Sequence, residues 1–175
     1  MNLSDSFELW IVYISGGIMI EYRLADSQDT DRLAELRWVH KNEDEPLDEG
    51  APFDAAGREG YIRTCSDFLK QALQEEFSCW VAVENKVIVS HIYVVEVRKV
   101  PKPGKFDSVW GYVTAVYTVP EYRNKGIGSA LLDKVKEWSR EKGLEHLIVW
   151  PSEPSVPFYE RAGFSGETDV LELPL

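Results

Sequence analysis

Two cysteines, Cys65 and Cys79, are too few for a disulfide framework or a cysteine metal cluster. With no secretory signal, a reducing compartment and two small core residues are expected. No apolar stretch approaches the length of a membrane span. The N-terminal run "FELWIVYISGGIMI" is broken by Glu8, Gly16 and Gly17 and has no basic flank, which makes it a poor signal peptide. A cytoplasmic protein without a membrane partner is therefore the expectation. Basic residues are also short: 19 Lys and Arg face 30 Asp and Glu, a net charge of −11. That balance excludes the basic footprint expected of a nucleic-acid binder, and it disfavours anionic membranes. Repeats and low-complexity tracts are absent.

What is present is the material of one folded domain. The chain has 175 residues, 44% of them hydrophobic, including six tryptophans. The run Ile20–Leu24 reads as a strand. Asp29 or Thr30 can cap a helix with apolar Leu33, Leu36 and Val39. The acidic loop "KNEDEPLDEGAPFD" follows. A second helix is expected from about Tyr61 to Glu76, on Ile62, Phe68, Leu69 and Leu73. "CWVAV" and "VIVSHIYVVEV" flank "ENK" as a hairpin, and "VWGYVTAVYTV" is a further strand. A helix on Ile127, Leu131, Leu132, Val135 and Trp138 ends at Gly143. "LIVW" is a short strand, "SVPFYERAGF" a short helix ending at Gly163, and "DVLELPL" a last strand.

The junction "VYTVPEYRNKGIGSALL", Val116–Leu132, carries the strongest signal. A strand ends at Pro120, glycines follow, and a helix begins. A helix start leaves N–H groups unpaired with partial positive charge. Glycines let the backbone close on a ligand, so such a turn suits an anion, most often a phosphate. Arg123 and Lys125 add full charge. The turn is not a Walker A loop, which needs Gly-Lys-Ser/Thr after four spacer residues. It is not a dinucleotide fingerprint either, since Leu131 occupies the third small position.

Arg123-Asn124-Lys125-Gly126-Ile127-Gly128 resembles the Gln/Arg-x-x-Gly-x-Gly/Ala signature of the GNAT-type N-acetyltransferase superfamily. "VPFYERAGF", Val156–Phe164, resembles that family's Tyr-x-x-x-Gly-Phe segment at the family's spacing. The resemblance implies an α+β, three-layer fold with a mixed sheet of about six or seven strands, splayed at the cofactor site and flanked by about four helices. It implies acetyl-CoA as co-substrate and transfer of its acetyl group to a primary amine by direct attack in a ternary complex. The acceptor would be a small cationic molecule or a peptide amine. The alternative is a non-catalytic acetyl-CoA-binding sensor or interaction module.

Carried over residue by residue, the resemblance puts the pyrophosphate on the turn formed by Arg123, Asn124, Lys125, Gly126, Ile127, Gly128 and Ser129. The pantetheine arm would pair with Val116, Tyr117 and Thr118 as an added strand. Ser152 stands where relatives often have an asparagine that contacts coenzyme A. Tyr159 matches the tyrosine that protonates the departing thiolate. No acidic residue lies between Val109 and Val119, where many relatives carry their base. Glu145, Glu153 and His91 are the candidates left. The acidic loop with Glu43, Asp44, Glu45, Asp48 and Glu49, together with Trp38, His40 and Tyr112, would face the acceptor. Metal is not expected. Residues 1–18 are expected to be an extension preceding one GNAT-like domain, 19–175. "SGG" can be encoded by a ribosome-binding sequence just ahead of Met19. The competing roles for that segment are an added strand or a dimer contact, a homodimer being the oligomer considered.

Overall fold

The computed structural model describes residues 10–14, 18–44 and 55–166. Six strands occur in chain order: β1 (Trp10–Ile14), β2 (Ile18–Leu24), β3 (Phe77–Glu84), β4 (Val87–Arg98), β5 (Val109–Thr118) and β6 (Leu147–Val149). They lie side by side in that same order in one sheet. β1 to β5 are antiparallel neighbours, and β6 runs parallel to β5. The helices are α1 (Thr30–Asp44), α2 (Ala55–Ala72), α3 (Ile127–Glu141) and α4 (Val156–Arg161). Among the described residues this is the mixed, helix-flanked α+β sheet expected from the sequence. The last strand expected at "DVLELPL" and residues 45–54 of the acidic loop lie outside them.

Strand periodicity divides the core in two. Trp80, Ala82, Ile92, Val94 and Val113 meet Ile127, Leu131, Leu132, Val135 and Trp138 of α3. Cys79, Val81, Val83, Ile88 and Tyr93 face the other way, against Leu33 and Leu36 of α1 and Leu69 of α2. Because both faces are covered, β3 and β4 read as nearly continuous apolar runs. The α3 stripe is buried along its whole length. Each large side chain in it contributes about 1.5–3 kcal/mol relative to exposure. The β3–β4 turn puts Asn85 and Lys86 at φ 47° and 68°, the left-handed pair a two-residue hairpin needs.

Two local readings are corrected. α2 starts at Ala55 rather than Tyr61 and stops at Ala72 rather than Glu76. Its bonding tightens there, with Gln74 N–H donating to Gln71 O and Glu75 N–H to Ala72 O. Phe68 is 55% exposed and packs edge-on against Phe77 at 5.7 Å rather than filling the core. In α1, Val39 points outward, and His40 turns toward the sheet to stack on Tyr117 at 4.9 Å. Cys65 and Cys79 are both free, the second fully buried in the core. β1 pairs its backbone with β2 at the sheet edge farthest from β5 and β6.

Candidate active site

β5 has one closed edge and one open edge. Along β4, the step from His91 to Tyr93 is matched on β5 by the longer step from Tyr117 to Thr114. The extra residue is a β-bulge, and Ala115 within it has φ 47°. On the other side β6 pairs only with Gly111, Tyr112 and Val113 and ends at Val149. Among the described residues, Thr114–Thr118 therefore has β4 on one flank and no strand on the other. A row of backbone donors and acceptors without a strand partner is a template for an extended ligand. Val116, Tyr117 and Thr118 all lie on it. Their side chains alternate, Val116 toward the α3 side and Tyr117 into the α1 side.

The glycine turn begins where that edge stops. A 3-10 turn, Pro120–Tyr122, leads into Arg123, with Asn124 at φ 59° and Gly126 at φ 79°. Gly126 sits just before α3, and no side chain caps the helix. The first N–H groups of α3 are thus left to whatever ligand or solvent lies in front of them. The two glycines serve different ends. Gly126 supplies a left-handed backbone that L-residues resist. Gly128 supplies room: a Cβ there would stand 3.3 Å from Thr118 Oγ1 and 3.8 Å from Phe158 Cε2. The start of α3 approaches the end of β5 closely enough that a Cβ fits only if the Thr118 side chain gives way by a few tenths of an ångström. A cradle of exposed N–H groups without Cβ obstruction is what a pyrophosphate requires.

Arg123 is already engaged. Its Nε donates to Thr118 O at 2.8 Å, and its Nη2 meets Glu43 Oε2 at 2.5 Å. Tyr117 Oη donates to the other Glu43 oxygen at 2.7 Å. Burial alone would raise the Glu43 carboxyl, but the hydrogen bonds from Arg123 and Tyr117 hold it below the ordinary range. Burial, reinforced by Glu43, pushes the Tyr117 phenol up. The end of α1 is thereby latched to both the open strand and the glycine turn. Sequence reading assigned Glu43 only to the acidic loop, because its two partners are 74 and 80 residues away. Lys125 lies over the Tyr122 ring at 5.3 Å, and Tyr122 donates to Glu84.

Tyr159 is 7% exposed on α4, edge-on to Phe158 at 5.0 Å and to Phe164 at 5.5 Å. Burial, with a contribution from Tyr112, pushes its phenol up to about 12. Tyr112 packs against Trp150 at 4.7 Å, just past the point where β6 ends. Ser152 is exposed between β6 and α4, its Oγ donating to Ser155 Oγ at 3.2 Å. Two of the base candidates are poorly suited. Glu145 binds Lys105 at 2.8 Å beside Val109, at the end of β5 opposite the turn. Hydrogen bonds from Lys105 and Ser108 hold its carboxyl down to about 2. His91 is fully buried, and burial holds it down to about 3, too weak to take a proton from an ammonium. Glu153 is exposed in the short 3-10 turn beside Ser152. Among the described residues no group of His, Cys, Asp and Glu is arranged to hold a metal.

The acetyltransferase (GNAT) family model matches residues 30–164. The chain belongs to that family. It is 40% identical over 75 residues to the glucosamine 6-phosphate N-acetyltransferase of Trypanosoma brucei brucei, covering 43% of this chain and 51% of that protein. It is 26% identical over 125 residues to the chloroplastic serotonin N-acetyltransferase 2 of Oryza sativa subsp. japonica, covering 71% and 60%. The chain thus spans about half the length of the curated relatives it matches. The crystal structure of a predicted acetyltransferase from Clostridium acetobutylicum with acetyl-CoA shares the fold. Its TM-score is 0.69 at 24% identity over 89% of this chain and 96% of that one.

Proposed function

We infer that the chain is an acetyl-CoA-dependent N-acetyltransferase that passes the acetyl group to a primary amine by direct attack in a ternary complex. The observation that carries this reading is the meeting of three features: the open edge Thr114–Thr118, the uncapped start of α3 behind Gly126, and Tyr159 packed beside them. Asn124 to Ser129 would hold the pyrophosphate through backbone N–H groups, with Val116, Tyr117 and Thr118 pairing with the pantetheine arm. Arg123, tied to Glu43 and Thr118 O, would fix the turn and contribute a partly neutralised charge. Ser152 offers one hydroxyl contact beyond β6.

The amine nitrogen forms a bond to the thioester carbonyl carbon, the carbon–sulfur bond breaks, and one proton passes overall from nitrogen to the coenzyme A sulfur. Tyr159 is the donor at that sulfur. With its phenol near 12 it stays protonated through the working range, while a free thiol ionises near 8.5. It therefore stabilises the sulfur chiefly by a hydrogen bond that strengthens as charge develops. The proton on nitrogen leaves to water or to a group of the acceptor side, since Glu145 and His91 are unsuited. Calorimetry with acetyl-CoA, followed by thiol release across a panel of amines, tests the reading. Binding with turnover of at least one amine is expected. Binding without turnover of any amine would favour a non-catalytic module, and absence of binding would remove the reading.

A further inference from the structure

Residues 88–94 of β4 are all buried, and an adjacent polar pair, Ser90 and His91, stands in the middle of them. Ser90 is 0% exposed and lies directly across from Thr118 on β5. A buried hydroxyl is costly unless it is bonded, and the backbone ladder between β4 and β5 does not need one. Both bonds of Ser90 go to the end of the open edge. Its Oγ donates to Tyr117 O at 2.9 Å and lies 2.8 Å from Thr118 Oγ1. A serine hydroxyl has one proton. With that proton given to Tyr117 O, Ser90 Oγ is left as an acceptor, and Thr118 is the donor in the second bond.

That polarity matters because Thr118 is where the strand edge meets the glycine turn. Its carbonyl is taken by Arg123 Nε at 2.8 Å, and a Cβ on Gly128 would stand 3.3 Å from its Oγ1. A threonine side chain has staggered positions that exchange its hydroxyl and its methyl. The bond to Ser90 holds Thr118 in one of them, with the oxygen keeping only acceptor capacity beside the start of α3. Without Ser90 the side chain is free to turn its methyl toward the polar cradle. Ser90 itself is fully buried, so it acts through Thr118 and not by contact with a ligand.

We propose that Ser90 is a positioning residue for the cofactor: it fixes the side chain of Thr118 and so keeps the end of the open edge fitted to the glycine cradle. This role rests on the acetyltransferase reading above, and the two fail in different experiments. If the parent protein does not bind acetyl-CoA, that reading falls and the role of Ser90 falls with it. If the parent binds and the Ser90 variants bind equally well, the role of Ser90 falls alone.

The test titrates acetyl-CoA calorimetrically into the full chain, Ser90→Ala, Thr118→Val and the double variant, with a thermal melt of each. Ser90→Ala is expected to lower affinity by about three- to tenfold, the range that one hydrogen bond supplies. Thr118→Val keeps the shape of threonine without its hydroxyl and should weaken binding by a similar factor. Because Ser90 acts through Thr118, the double variant should bind within about twofold of Thr118→Val alone. A serine with only a structural role would lower the melting point and leave the affinity of the folded protein unchanged. Affinity within about twofold of the parent in folded Ser90→Ala therefore overturns the proposal, as do additive losses in the double variant. Ser90→Cys, which keeps the volume with a weak donor, replaces the alanine variant if melting shows the latter unfolded. If neither folds, Thr118→Val decides alone, and unchanged affinity there overturns the proposal.

Discussion

The two sides of the β5 edge are built from different materials. The α3 side is made of backbone: strand groups without a partner, a left-handed turn and the uncapped start of a helix. The α1 side is made of side chains: His40, Glu43, His91, Tyr93 and Tyr117. A backbone site tolerates many side-chain changes but not a Cβ where the chain closes in. A side-chain site has the opposite tolerance. A common cofactor arm suits the first kind of site, and an acceptor that differs among relatives suits the second. The Trypanosoma and Oryza relatives named above, with different acceptors in their names, fit that division.

Tyr159 is the exception on the α3 side, a side chain with a proposed chemical role, and it carries the largest expected effect. Tyr159→Phe should lower kcat by roughly ten- to a thousand-fold while leaving acetyl-CoA affinity nearly unchanged. A kcat within about twofold of the parent would reduce Tyr159 to packing between Phe158 and Phe164. Gly128→Asp comes next. It puts a side chain where a Cβ already meets Thr118 Oγ1 at 3.3 Å, and adds negative charge at the helix start. Acetyl-CoA affinity should fall by at least about tenfold in calorimetry, with the folded state checked by thermal melting.

The latch between the two sides is worth less, because it is partly exposed. A double-mutant cycle of Glu43→Gln and Arg123→Gln on acetyl-CoA affinity should depart from additivity by about 0.5–1 kcal/mol. Additive effects would mean that the two sides act independently and that the ion pair is incidental. Deleting residues 1–18, proposed as an extension, should change least. Acetyl-CoA affinity should stay within about twofold, since β1 lies at the sheet edge away from β5. Affinity lost in step with a melting point lowered by about ten degrees or more would make that strand integral to the domain.

The same division explains how much could be read in advance. The glycine turn, the α3 stripe and the Asn85–Lys86 hairpin are contiguous in sequence, and their residue types follow from local backbone needs. The bulge was not legible, because an alanine at φ 47° carries no sign in the sequence. The latch was not legible either, because nothing local links Glu43 to Tyr117 or Arg123. His40 was hidden for another reason. An apolar-periodicity search passes over polar residues on an inward face, and it preferred Val39. The boundaries of α2 moved because its first turns, residues 55–60, carry no large apolar residue for a periodicity search to find, and because its end closes in tight turns past Ala72.

Amide hydrogen exchange with and without acetyl-CoA tests the central claim most directly, because it reads the backbone itself. The account predicts that saturating acetyl-CoA slows exchange in peptides covering Thr114–Thr118 and Asn124–Ser129, where the strand edge away from β4 and the uncapped helix start leave N–H groups without a partner among the described residues. Peptides of β3, paired on both sides, should change little. Tight binding of acetyl-CoA with no added protection in either of those two stretches would contradict it.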